Sequence, residues 1–167
     1  MEKRVVITGI GAVTPVGNDI PTTWESLLAG KNGIGKITKF DTSNSKVNIA
    51  AEVKGFDPLL YIEKSQVRKM DLFTQYAMAA AAQAMQDSGI EGKVEPERLG
   101  VYIGTGVGGM NTFETQHSRL LERGPGRVSP FFIPMLISNM AAGVIAMRHH
   151  ALYVVFPSII VSHTFTL

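Results

Sequence analysis

Of 167 residues, 45% are hydrophobic and 18% charged, and 16 basic against 14 acidic side chains leave a formal net charge of +2. No stretch concentrates Lys and Arg among aromatics, so a nucleic-acid surface has no support, and the composition is that of one soluble α/β domain. Zero cysteines exclude disulfides, thiolate metal sites and a cysteine nucleophile within these residues.

The opening MEKRVVITGIG has an apolar run too short for a signal peptide, which predicts a cytoplasmic protein. Val5, Val6 and Ile7 read as a buried strand ended by Thr8-Gly9. Thr22-x-x-Glu25 has capping-box spacing before Trp24, Leu27 and Leu28, predicting a short helix over 22–29 with Gly30 as its stop. Residues 31–48 read as polar loop and 49–53 as a second strand. Met70 to Ser88 is rich in Ala, Met and Gln and lacks a charged stripe between Asp71 and Asp87, which predicts a helix packed around most of its circumference. Leu99 to Ile103 is a further strand, and Phe113, His117, Leu120 and Leu121 recur at helical spacing before Gly124. Met135 to Met147 is almost wholly apolar and reads as a helix that is buried or lies in an interface. All 16 basic and 14 acidic residues lie within 1–148. The charge-free end, His149 to Leu167, is broken by Pro157, Ser158, Ser162 and His163 and falls short of the roughly 20 apolar residues that span a bilayer, so no membrane segment is expected.

Gly104-Thr-Gly106-Val-Gly108-Gly109 matches G-x-G-x-x-G between a strand and a helix and could cradle a phosphate. No apolar strand ending in an acid follows about 20 residues later, as a dinucleotide site requires. The alternative is that these glycines let a turn pass close to another backbone. Gly9-Ile-Gly11 begins the same way but has Thr14 where the third glycine belongs. His149 and His150 are adjacent and point about 100° apart on a helix, so no metal site is proposed. Ser158 or Ser162 with His163 lacks an orienting acid and the G-x-S-x-G context. Glu91, Glu95 and Glu97 read as solvated carboxylates.

Five segments in order, RVVITGIGAVTPVGN (4–18), WESLLAGKNGI (24–34), RKMDLFTQYAMAAAAQAMQDSG (68–89), GVYIGTGVGGM (100–110) and SPFFIPMLISNMAAG (129–143), resemble the N-terminal half of a β-ketoacyl-acyl carrier protein synthase of the elongating type II kind. The likeness runs from Met1 to about Ala151. It implies a truncated N-terminal half of the thiolase-like, layered α-β-α-β-α fold. It also implies decarboxylative condensation of acyl- with malonyl-acyl carrier protein in fatty acid elongation, with acyl carrier protein and a second copy as partners and no cofactor. In that chemistry a cysteine thiolate takes the acyl chain, and two histidines and a lysine promote decarboxylation. By the same resemblance Val107 holds the position that gates the acyl pocket, and Phe132 that of an aromatic reaching the partner subunit's pocket. Each residue could equally be ordinary packing.

The likeness stops at Ala151, where an expected Gly-Pro is replaced by Leu152-Tyr153. At the family's spacing the nucleophile falls near Ser162, a hydroxyl far less ionised than a thiol. Residues 152–167 therefore read as a divergent tail of the kind a shifted reading frame produces, after an incomplete domain over 1–151. The downstream histidines and lysine are absent, so an inactive fragment is expected, with helix faces such as Met135 to Met147 and the alanine-rich helix left partly uncovered. The rival readings are a non-catalytic partner like a chain-length factor and a nucleotide-binding module built on GTGVGG.

Overall fold

A computed structural model of the chain describes residues 4–154. In chain order its elements are α1 (Ile20–Leu28), β1 (Ile34–Lys36), β2 (Ile49–Ala51), α2 (Lys64–Val67), α3 (Leu72–Ser88), β3 (Gly100–Val101), α4 (Met110–Arg123), α5 (Phe132–Leu136), α6 (Met140–Arg148) and β4 (Tyr153–Val154). They form two compact units. One comprises the described residues up to Asp57 together with Ala79–Gly89; the other comprises Pro58–Met78 and the described residues from Ile90 onward.

In the first unit α1 starts two residues before the predicted helix. Its N-cap is Asp19, in extended backbone, and the carboxylate accepts from Thr22 N–H at 2.7 Å, which replaces the Thr22 capping box. Hydrogen bonds from the Thr22 side chain and backbone hold the Asp19 carboxyl below the usual carboxylate range. Gly30, at φ 64°, stops the helix as expected.

The orientation of α1 reverses its apolar pattern. Thr23 and Ser26 are buried while Trp24, Leu27 and Leu28 are 60%, 58% and 71% exposed. The cause is a tight turn that needs donors. Ser26 Oγ donates to Val16 O at 2.8 Å, and Thr23 Oγ1 donates to Gly17 O at 3.2 Å. β1 and β2 pair antiparallel, Gly35 opposite Ala50, so the predicted 31–48 loop contains a strand too short to show alternation.

The segment 9–18 lies directly on the C-terminal part of α3. Ile10 N–H donates to Asp87 Oδ2 at 2.9 Å, Ala12 N–H to Gln83 Oε1 at 3.1 Å, and Gln83 Nε2 back to Asn18 O at 2.8 Å. Glycines at 9 and 11 permit this approach, since a Cβ on either would strike the helix backbone at Ala84 or Ala80. Val5, Val6 and Ile7 form no strand and are 94%, 56% and 85% exposed. A strand exists only with a partner backbone, and among the described residues none bridges this run.

In the second unit β3 and β4 pair parallel, Gly100 opposite Tyr153 and Val101 opposite Val154, and α6 packs on both. The predicted strand over 99–103 thus shortens to two residues. The core is small and largely aliphatic, with Ile62, Met78, Ala141, Ala142, Ile145 and Ala146 buried. Along α3 no residue from Leu72 to Met85 is exposed, as the absence of a charged stripe predicted. The predicted continuous helix 135–147 is two helices, α5 and α6, parted at Ile137–Asn139. Leu136 C=O, which an unbroken helix would spend on Met140 N–H, accepts instead from Gly109 N–H at 2.9 Å. Of the faces expected to be partly uncovered, that of 135–147 is so, with Ala141, Ala142, Ile145 and Ala146 buried but Ile137 and Met147 exposed, whereas α3 is covered. Exposed apolar side chains also gather on α4, where Phe113, Leu120 and Leu121 are 44%, 42% and 72% exposed while Thr112 and Gln116 are buried.

Helix α6 closes on a left-handed residue, His150 at φ 53°, with Ala151 N–H donating to Ala146 O at 2.9 Å. This is the Schellman arrangement with histidine where glycine is usual. His149 Nδ1 lies 3.2 Å from Glu91 Oε1. Among the described residues no group of three His, Asp or Glu side chains could hold a metal, and no helix is long and apolar enough to cross a membrane.

Candidate functional site

The glycine loop Gly104–Gly109, the start of α4 and α5 meet at one place in the second unit. Gly108 adopts φ 89°, and a Cβ there would collide with Leu136 O; one on Gly109 would collide with Met135 O. These glycines let the loop rest against the backbone of α5, the second of the two readings of the motif. The N-terminus of α4, where a phosphate would sit, already holds an anion. Asp71 Oδ2 accepts from Thr112 N–H at 2.9 Å and from Thr112 Oγ1 at 2.6 Å. A buried carboxylate there fills the helix N-terminus and repels a phosphate, so the geometry gives no footing to a nucleotide.

Val107 stands on the outer part of the loop, 64% exposed. Phe132 opens α5, half-buried, its ring 6.4 Å from that of Phe113, which in turn lies parallel to His117 at 5.9 Å. The two predicted pocket residues therefore belong to segments tied together through Gly109 N–H and Leu136 O. A second tie is Ser129 N–H donating to the buried Gln116 Oε1 at 2.8 Å, which docks the start of SPFFIP on α4. Ser162 and His163 lie outside the described residues.

Beside Asp71 is a cleft of about 350 Å³ lined by Arg68, Asn111, Thr115, Arg119 and Met135, among others. Arg68 and Arg119, far apart in sequence, line one cleft together with Asp71. Sequence reading also passed over Asp71 itself. Its signal was present, an Asp directly before the apolar run of a strong helix.

Residues 2–152 match the family described as "Beta-ketoacyl synthase, N-terminal domain". The chain belongs to the β-ketoacyl synthase family. It is similar to the 3-oxoacyl-[acyl-carrier-protein] synthase 2 of Staphylococcus aureus (strain COL), 52% identical over 145 residues, or 86% of this chain and 35% of that protein. The corresponding synthase 2 of Coxiella burnetii is 49% identical over 151 residues, covering 89% of this chain and 36% of the relative. The chain thus spans about a third of the length of these curated relatives. Among solved structures, the ishigamide ketosynthase/chain length factor superposes with a TM-score of 0.81 at 29% identity, covering 92% of this chain and 39% of that one. The α/β, thiolase-like class expected of a truncated ketosynthase N-terminal domain holds.

Proposed function

We propose that this chain is the N-terminal part of an elongating β-ketoacyl-acyl carrier protein synthase and supplies a wall of its acyl pocket without its nucleophile. The observation that carries the reading is the family match over 2–152 with half-identical relatives named as 3-oxoacyl-[acyl-carrier-protein] synthase 2. Val107 on the loop and Phe132 on α5 are the pocket residues. The family's condensation needs a thiolate to carry the acyl group, and none of the 167 residues is cysteine. Ser162 supplies no substitute, because a hydroxyl without a base stays protonated. Incubation with radiolabelled acyl-acyl carrier protein leaves no acyl group bound to the protein; label on Ser162 that is lost in Ser162→Ala would overturn this.

Acyl carrier protein is the proposed partner. A ketosynthase has been solved in complex with a type II acyl-carrier protein, and this chain is similar to it at 28% identity and a TM-score of 0.71. Arg68 and Arg119, which line the cleft beside Asp71, are the cationic contacts proposed for the carrier. A second copy of the chain is the other proposed partner, with the exposed Phe113, Leu120 and Leu121 face of α4 as its surface. Sedimentation that shows a monomer at all concentrations would remove the second proposal. The end of the family match at residue 152 supports a domain boundary near Ala151 with a divergent tail after it, and a cytoplasmic location follows from the proposed role. The nucleotide sequence beyond codon 151 tests the tail: a second frame reading Gly-Pro and then Thr-Ala-Cys marks it as a frame product.

A further inference from the structure

We propose that Asp71 is the positioning residue of the acyl-pocket wall, a single buried carboxylate that pins the glycine loop by holding the first turns of two helices at once. The proposal rests on the reading that Gly104–Gly109 lines that pocket. Asp71 is 5% exposed. One oxygen, Oδ1, accepts from Phe73 N–H at 3.3 Å and caps α3, whose first carbonyl bond, Gln75 N–H to Asp71 O, measures 3.1 Å. The other, Oδ2, takes both the N–H and the hydroxyl of Thr112 in the first turn of α4. Gly109 is wedged between the two anchors. A Cβ on it would lie 3.0 Å from Asp71 Oδ2 and against Met135 O, while its N–H donates to Leu136 O. The loop is therefore gripped at its C-terminal end by the carboxylate on one side and by α5 on the other, two residues after Val107.

The chemistry requires a carboxylate and not merely a polar side chain. Two of the groups bonded to Asp71, Phe73 N–H on one oxygen and Thr112 N–H on the other, can only donate, so an amide would turn its NH2 toward one of them and set donor against donor. The negative charge also faces the N-termini of two helices, where the backbone dipoles favour it.

The test is residue-resolved amide hydrogen exchange on the full chain, comparing wild type with Asp71→Asn and with Thr112→Val. Capping of α4 alone would affect Thr112 N–H, which Asp71 touches. Positioning of the loop extends to Gly109 N–H, which Asp71 does not touch. The expected result is exchange at least about tenfold faster at both amides in Asp71→Asn, and a smaller acceleration at the same two in Thr112→Val, which keeps the N–H bond. Lys31 N–H, bonded to Ser26 O at 2.9 Å in the other unit, should keep its wild-type rate. Acceleration at Thr112 with Gly109 unchanged overturns the proposal, and so does equal acceleration at all three, which would make Asp71 a contributor to general stability. Exchange reads no acyl chemistry. A chain that passes this test yet never binds an acyl carrier protein would count against the proposed function and leave the anchor standing.

Discussion

Replacing Gly11 by Ala adds one methyl group where segment 9–18 touches α3, and the structure leaves no room for it. The new Cβ would lie 2.7 Å from Gln83 Cβ and 2.8 Å from Ala84 N, and nearer still to Ala80 O. Carbon contacts are comfortable at about 3.5–4.0 Å, so the segment must withdraw from the helix by roughly 1 Å. Withdrawal of that size stretches the 3.1 Å bond from Ala12 N–H to Gln83 Oε1 beyond hydrogen-bonding range. Overpacking costs about 1–3 kcal/mol and the lost bond about 1 kcal/mol, together about 2–4 kcal/mol. At about 2–4 °C per kcal/mol for a chain of this size, the midpoint falls by roughly 5–15 °C. Urea unfolding followed by the fluorescence of Trp24 is the assay, because this is the single tryptophan and it lies in the same unit as Gly11. Gly35→Ala is the matched control. Nothing lies within 4 Å of that Cβ and φ is not left-handed there, so the same methyl should be neutral or stabilise by up to about 1 kcal/mol. Trimming Gln83 to Ala should not rescue Gly11→Ala, because two of the three obstacles are α3 backbone atoms. A Gly11→Ala protein that unfolds within about 0.5 kcal/mol of wild type would refute the argument that close backbone contact, and not turn geometry, fixes this glycine.

Asp19→Asn should keep the α1 cap at neutral pH, since Asn and Asp cap almost equally well. The folded pKa of Asp19 is depressed below 3.8, so its contribution is present above that value and lost as pH falls through the folded pKa; acid titration of stability should therefore show a component that the Asn variant lacks. His150→Gly should raise stability by about 0.5–1 kcal/mol in thermal melts, because φ 53° strains a side-chain-bearing residue and not glycine. A loss of stability would show that the His150 side chain contributes more than its backbone costs. Leu27→Ser should change stability by less than about 0.5 kcal/mol in urea unfolding although Leu27 belongs to the apolar stripe of its helix, because that stripe is exposed.

Residue chemistry by itself determined that α1, α3 and α4 are helices and where they stop, but not the break that parts α5 from α6. Gly30 and Gly124 end α1 and α4 with positive φ, and the alanine-rich run becomes α3 covered on most of its circumference, because caps, glycine stops and the absence of a charged stripe act within a few residues. Family membership was equally legible, since five ordered segments carry far more information than one glycine motif. Which face of a helix turns inward was not legible. In α1 and α4 the hydroxyls and amide of Thr23, Ser26, Thr112 and Gln116 are buried because they satisfy backbone or carboxylate groups of other segments, while Trp24, Leu27, Leu28 and Leu121 face outward. Periodicity reports side-chain polarity along one helix and knows nothing of the partner that needs a donor. Strands failed for the same reason: Val5–Ile7 has the composition of a strand, but pairing is a relation between two backbones. The anchor at Asp71 lay in plain view as a helix cap, yet its second role depends on Thr112, 41 residues away, and only the tertiary fold brings the two within 2.6 Å.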